Sequence, residues 1–322
     1  MPELAVTGEF TYGHWAGFLI LVVGALALDL GVFHRKDHVV SVKEAAGWTA
    51  LWVTLAMVFA YQLHVWQGAE YSREFIAGYV IELSLSMDNV FVIAAIFAYF
   101  RVPSEYQHRV LFWGILGALV MRGLMIIGGA ALVSRHMWVL YIFGAFLIFT
   151  GVKMFFADSD GVEPEKNPLL RLVRRYFPVS PAFEGSQFLT TIDGVRALTP
   201  LALVLVVVET SDVLFAVDSV PAIFAVTQKP FIVFTSNVFA ILGLRSLYFA
   251  LAGAIRYFHF LKYGLALVLA FVGVKMLVDP HDHPAQWYQY KLSTELSLGI
   301  VLAILLTAVG FSVAKARNLP RS

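Results

Sequence analysis

The sequence predicts an all-α polytopic membrane protein, a single membrane domain over residues 1–322 with nine transmembrane helices, its N-terminus out and its C-terminus in. Three observations predict this. Hydrophobic residues make up 59% of the chain and charged residues 14%, where a soluble domain carries about 25% charged residues, and the mean hydropathy is +0.77. Apolar stretches of about 20 residues, enough to cross a bilayer, recur nine times. Lys and Arg also alternate in density between successive connections, 15 on one side against 4 on the other, the asymmetry that orients membrane proteins.

The first span, roughly 15–33, follows MPELAVTGEF, which lacks the basic region and small-residue cleavage site of a signal peptide, so this span is expected to stay in the protein. It carries Asp29 near its cytoplasmic end, where the carboxylate either snorkels to the interface or serves a gate. The second span covers roughly 45–65. The third, roughly 75–99, is strongly apolar yet holds Glu82 and Asp88. The fourth and fifth, roughly 109–133 and 138–157, contain Arg122 and Lys153.

A cytoplasmic loop, 159–198, follows, acidic at its start (Asp158, Asp160, Glu163, Glu165) and then basic (Arg171, Arg174, Arg175). It reads as a solvated linker with one short interfacial helix around 168–177. The sixth span, roughly 199–226, holds Glu209, Asp212 and Asp218, and only Gln228, Lys229 and Pro230 separate it from the seventh, roughly 231–253, which contains Arg245. The eighth and ninth run roughly 259–278, with Lys275, and 296–313.

Two of these stretches are one element repeated. Val80–Pro103 and Val207–Pro230 align without a gap at an offset of 127 residues, sharing Glu82/Glu209, Ser84/Ser211, Val90/Val217, the run AIFA and Pro103/Pro230. The repetition continues through GALVMRGL and AILGLRSL, which hold Arg122 and Arg245. It ends in YIFGAFLIFTGVKM (141–154) and YGLALVLAFVGVKM (263–276). The unit is therefore three helices, 75–158 and 199–279, and an odd number of crossings inverts the second copy relative to the first, as in many transporters. Helices one, two and nine are additions to this core.

An ionisable residue at the centre of a membrane span costs on the order of 2.5–3.5 kcal/mol. Glu82, Asp88, Glu209, Asp212 and Asp218 must therefore be paired, protonated or bound to a cation. Arg122 and Arg245 offset two of the five, whereas Lys153 and Lys275 lie near helix ends and are expected to snorkel. One divalent cation plus one or two protons would neutralise the remainder, which predicts exchange of a dication against protons. The competing reading is an acid that merely pairs with Arg to hold helices together. Carboxylates, the Asn89 amide and the hydroxyls of Ser84, Ser86, Thr210, Ser211 and Ser219 are hard oxygen donors, suited to Mn²⁺, Mg²⁺ or Ca²⁺. Met87 is the one softer donor nearby, and Asn237 either completes the site or bonds between helices.

On an ideal helix Glu82 and Asp88, and likewise Asp212 and Asp218, are six residues apart and point about 120° away from each other. Pro221 and the run Ser-Met-Asp-Asn therefore predict local unwinding near Asp218 and Asp88, which would free carbonyls for an ion. His281, Asp282 and His283 form an outside loop that either is solvated or captures metal weakly. The absence of Cys excludes disulfides, thiolate metal sites and Cys nucleophiles. No phosphate loop, nucleotide motif or nucleophile–base arrangement is found, so neither ATP-driven pumping nor an enzyme is expected, and no nucleic-acid partner.

IELSLSMDNVFV, VETSDVLFAVDSVPAIFAVT, FTSNVFAILGLR and YIFGAFLIFTGVKM together resemble the TerC family of integral membrane proteins, and within it the Alx-type bacterial members. The resemblance runs from the first helix to the last. It implies a secondary transporter in the bacterial cytoplasmic (inner) membrane that exports Mn²⁺ as its substrate, with no tightly bound cofactor. It also implies metal-linked roles for Glu82, Asp88, Asn89, Glu209, Asp212 and Asp218; from their own chemistry and placement, Arg122, Arg245, Ser211, Asn237 and Asp29 are expected to support transport. Ca²⁺ or another hard dication is the alternative substrate. A role in metallation or assembly of exported proteins, with translocon or homo-oligomer contacts in the surrounding lipid, is the alternative function.

Overall fold

Ten helices carry the chain in a computed structural model that describes residues 10–33, 41–156, 167–192, 194–252, 260–279 and 289–317. They are α1 (Tyr12–Phe33), α2 (Val42–Gln67), α3 (Ala69–Tyr99), α4 (Ser104–Arg135), α5 (Val139–Phe156), α6 (Pro168–Tyr176), α7 (Pro200–Phe224), α8 (Pro230–Ala252), α9 (Leu261–Val278) and α10 (Thr294–Arg317). Among the described residues eight of them are long and apolar enough to cross a membrane, and the apolar part of α1, Tyr12–Ala27, is shorter. The protein is thus all-α and polytopic. The predicted His281–His283 loop and the acidic start of the 159–198 loop lie outside the described residues.

Local chemistry sets the helix starts. Ser41 accepts from the Glu44 amide at 3.2 Å to cap α2, with Glu44 three residues on, as in a capping box. Asn167 accepts from the Leu169 and Leu170 amides ahead of Pro168, and Thr199 caps α7 ahead of Pro200. Proline suits the first helical position because its missing N–H would have no partner there. The 159–198 segment holds more than the expected interfacial helix. Leu189–Ile192 and Val195–Leu198 pair antiparallel as β1 and β2, in the register Leu189 opposite Leu198. Gly194, between the two strands, takes a positive φ of 80°, as a two-residue hairpin turn demands.

The two three-helix units interlock rather than sit side by side. α3 packs on α8 while α7 packs on α4, so the first helix of each unit lies against the second helix of the other. The third helices, α5 and α9, pack against each other through small residues. A Cβ on Gly273 would lie 2.6 Å from the Gly144 carbonyl, and one on Gly151 would lie 2.7 Å from the Ala266 carbonyl. At the 122-residue offset Gly144 corresponds to Ala266 and Gly151 to Gly273. Exchanging the two segments at that offset therefore maps one close contact onto the other. Small residues at such crossings let backbones approach where the hydrophobic effect gives no force between helices.

α8 is the buried centre of the bundle. α2 packs along it, and Phe10, Phe18, Phe59, Phe75, Phe231 and Phe239 pack as one aromatic cluster beside it. α10 covers α9, with the Ala308 methyl against Gly264. That cover corrects one expectation. Lys275 does not snorkel but is 4% exposed, its Nζ 4.0 Å from Asp279, because α10 occupies the path to the interface. Its counterpart Lys153 is exposed, as expected.

Candidate cation site

The unwinding expected near Asp88 and Asp218 does not occur, for α3 is helical throughout Ala69–Tyr99 and α7 throughout Pro200–Phe224. Pro221 removes one hydrogen bond, that to the Val217 carbonyl, but it lies in the last turn, where little helix remains to be deflected. Around Ser-Met-Asp-Asn, burial of Ser84, Leu85, Ser86 and Asn89 against neighbouring helices outweighs weak helix propensity. With both helices intact, the five acids part into three groups.

The first group gathers on Arg122 of α4, which is 2% exposed. Its Nη1 pairs with Glu82 of α3 and donates to Ser219 Oγ of α7 and Asn237 Oδ1 of α8, each at 3.1 Å. Its Nη2 donates to Asp212 Oδ1 at 3.1 Å and its Nε to Asp212 Oδ2 at 3.4 Å. Asn237 Nδ2 in turn donates to Glu82 Oε2 at 3.2 Å, and Asn89 Nδ2 to Asp212 Oδ1 at 3.4 Å. Four helices are thus joined by one guanidinium, whose planar fork meets two carboxylates at once.

The second group lines a cavity of about 40 Å³ beside this network. Asp88 and Asn89 come from α3, Asp218 and Ser219 from α7, and Arg122 forms part of the wall, with Leu85, Met154, Phe215 and Leu269 completing it. About 10–15 Å³ of such space admits one water, so the cavity has room for an ion together with one or two waters. Asn89 is 3% exposed and its Oδ1 has no hydrogen-bond partner. A buried acceptor left unsatisfied is costly, which marks this edge of the cavity as a place where a donor or a cation is wanted. On the far side of Asn89 and Asp212 lies a second, smaller cavity of about 20 Å³ that Ser211 also lines.

Glu209 lies close enough to Asp212 for their charges to interact, but it is not among the groups bonded to Arg122. Its carboxylate lies over Gly117 of α4, so close that a Cβ there would collide with both carboxylate oxygens. Among the described residues no three His, Asp or Glu side chains converge tightly enough to hold a metal ion. The residues expected as one ligand shell are therefore divided between an Arg-centred network, a two-carboxylate cavity, and Glu209 beside Asp212 over Gly117. Ser211 bonds back to the Val207 carbonyl of its own helix at 2.8 Å, Arg245 is 6% exposed in α8, and the side chain of Asp29 lies outside the described residues.

Sequence reasoning missed three participants. Met154, rather than Met87, is the sulfur-bearing residue at the cavity wall. Gly117 carries no signal of its own. Glu74 does carry one, since Glu70, Glu74, Gly78 and Glu82 follow at intervals of four along one helix face.

Residues 67–319 match the family described as integral membrane protein TerC. The membrane protein STKORF319 of Myxococcus xanthus is 52% identical over 310 residues, covering 96% of this chain and 95% of that protein. Alx of Escherichia coli K12, provisionally named a membrane-bound redox modulator, is 46% identical over 300 residues, covering 90% and 91%. A membrane protein of Rickettsia bellii is 38% identical over 307 residues, covering 95% and 99%. No solved structure matches the chain. A match over most of the length, carried by the helices that hold the acids and Arg122, means that this protein belongs to the TerC family of integral membrane proteins.

Proposed function

We propose that the protein is a secondary transporter of the bacterial inner membrane that exports a hard divalent cation, Mn²⁺, in exchange for protons. The observation that carries the reading is the small cavity between the two inverted units. It has two carboxylates, Asp88 and Asp218, neither on Arg122, and the unsatisfied Asn89 Oδ1 at its edge. Arg122 offsets only one of the two charges of Glu82 and Asp212, and the cavity pair, which is not bonded to it, is where a bound cation or protons are wanted. One dication or two protons balance it equally well, and alternate occupancy by the two is an exchange cycle.

The donor chemistry narrows the cargo. Carboxylate and amide oxygens take Mn²⁺, Mg²⁺ and Ca²⁺ alike, whereas a thioether disfavours the harder pair. Met154 on the wall accordingly favours Mn²⁺. Met154→Leu is expected to leave Mn²⁺ movement within about threefold while Mg²⁺ or Ca²⁺ begins to compete at about tenfold lower concentration, a difference of roughly 1.4 kcal/mol. Competition assays with radioactive Mn²⁺ measure both.

The direct test is purified protein in sealed liposomes. Mn²⁺ should move only with the protein present, and an imposed pH gradient should accelerate it in the direction opposite to proton flow. Flux that ignores the gradient removes the exchange half of the proposal, and no flux at all removes transport and favours a partner-subunit role in metallation or assembly of exported proteins. A redox role of the kind named for Alx would have to work here without thiols, for the chain contains no cysteine.

A further inference from the structure

The stripe Glu70, Glu74, Gly78, Glu82 connects the Arg122 network to the end of the bundle where α3 begins and α7 turns into α8, the end predicted to face outside. At about 1.5 Å per residue Glu74 lies about 12 Å along α3 from Glu82. Between them α3 and α8 nearly touch. A Cβ on Gly78 would be 2.9 Å from Ser236 Oγ, and Thr235, Ser236 and Asn237 are fully buried. This seam of small and polar groups runs from the central network to Glu74.

At Glu74 the seam is closed by charge. Glu74, 7% exposed, accepts from Thr227 Oγ1 at 2.8 Å and from Lys229 Nζ at 3.2 Å. Lys229 Nζ also reaches Glu70 Oε1 at 3.4 Å and sits 3.6 Å from the centroid of the Tyr71 ring. The opposite end is closed by different chemistry. The positions related by the 127-residue offset to Glu74, Thr227 and Lys229 are Leu201, Phe100 and Val102. Leu201 and Val102 are buried in an apolar cluster, with Phe100 packed against it. At these three related positions one end is thus sealed by contacts a cation can compete for and the other by apolar side chains.

We propose that Glu74 and Lys229 form the outer gate of the cation path, with the Lys229 ammonium acting as a tethered stand-in that holds Glu74 and Glu70 until a dication from the central cavity displaces it. This rests on the transport reading above. It makes the outer gate responsive to cargo, while the inner end must open by separating apolar surfaces.

Because the chain has no native cysteine, a single Ser236→Cys reports on the seam, and Val204→Cys reports on the opposite end. Each is exposed in sealed vesicles to a membrane-impermeant maleimide added from either face. Lys229→Gln and Glu74→Gln should each raise Ser236→Cys labelling from the predicted outer face by roughly five- to tenfold, Lys229→Arg should leave it near the parent rate, and Val204→Cys should stay protected throughout. In the Lys229 parent, saturating Mn²⁺ should raise Ser236→Cys labelling, and added Asp88→Asn should abolish that response. Unchanged labelling in both Gln variants overturns the gate, as does equal labelling of Val204→Cys, which would make the clasp a general stabiliser. Failure of the unsubstituted protein to move Mn²⁺ in liposomes would instead sink the transport reading, which the labelling does not measure.

Discussion

Replacing Arg122 with Gln is expected to destabilise the protein by about 3–5 kcal/mol, the cost of breaking a buried ion pair by removing one partner. Here one guanidinium serves two carboxylates, Glu82 and Asp212, and donates to Ser219 and Asn237 as well. Gln cannot neutralise either acid, and Glu82 is completely buried. A fall in the thermal midpoint of detergent-purified protein and loss of the monodisperse peak on size exclusion would show it. Arg122→Lys should recover part of the stability, since an ammonium restores charge, but not the geometry, since it cannot present a planar fork. The decisive variant is Arg122→Gln with Asp212→Asn, which removes one charge of each sign. If pairing is the origin of the defect, the double variant is more stable than Arg122→Gln alone. A double variant no better than the single would mean that Arg122 acts through packing.

The centrality of Arg122 also shows what the sequence could and could not convey. Periodic apolar length placed every long helix, and a basic amphipathic stretch placed α6, expected at 168–177 and found at Pro168–Tyr176. α3 begins earlier than expected because Glu70 and Glu74 look like the end of an apolar span until their four-residue spacing is noticed. The β1–β2 hairpin was hidden in a polar loop, although Asp193-Gly194 is a strong turn signal. Charge counting treated Arg122 and Arg245 as equals. They are not equals in the Glu82–Asp212 network, and the reason is local. Asp212 corresponds by the repeat to Leu85, so one copy supplies an acid where the other supplies an apolar isobutyl side chain. Which Arg that acid meets depends on the interlocking of α4 with α7, a packing fact with no trace in either helix alone. The place of Glu209 over Gly117 was unreadable for the same reason.

Asp88→Asn and Asp218→Asn should behave in the opposite way to Arg122→Gln, and the contrast separates a ligand from a structural acid. Neither aspartate lies on Arg122, and both line the cavity with only part of their surface covered. Asp218 accepts a hydrogen bond from Thr150, which an amide oxygen can still accept, and an acid within a membrane span costs on the order of 2.5–3.5 kcal/mol when charged, so each amide should leave the thermal midpoint unchanged or raise it. Transport should fall by at least about a hundredfold, because an amide oxygen keeps a donor in place but gives up the charge that a dication and its exchanging protons both require. Mn²⁺ binding to detergent-purified protein, followed by calorimetry, should be lost with it. Stability that is kept or gained while flux is lost is the pattern of a site held under strain for function. A variant that both unfolds and stops transporting would instead place these two aspartates among the groups that hold the helices together, and the cation path would have to be sought elsewhere in the bundle.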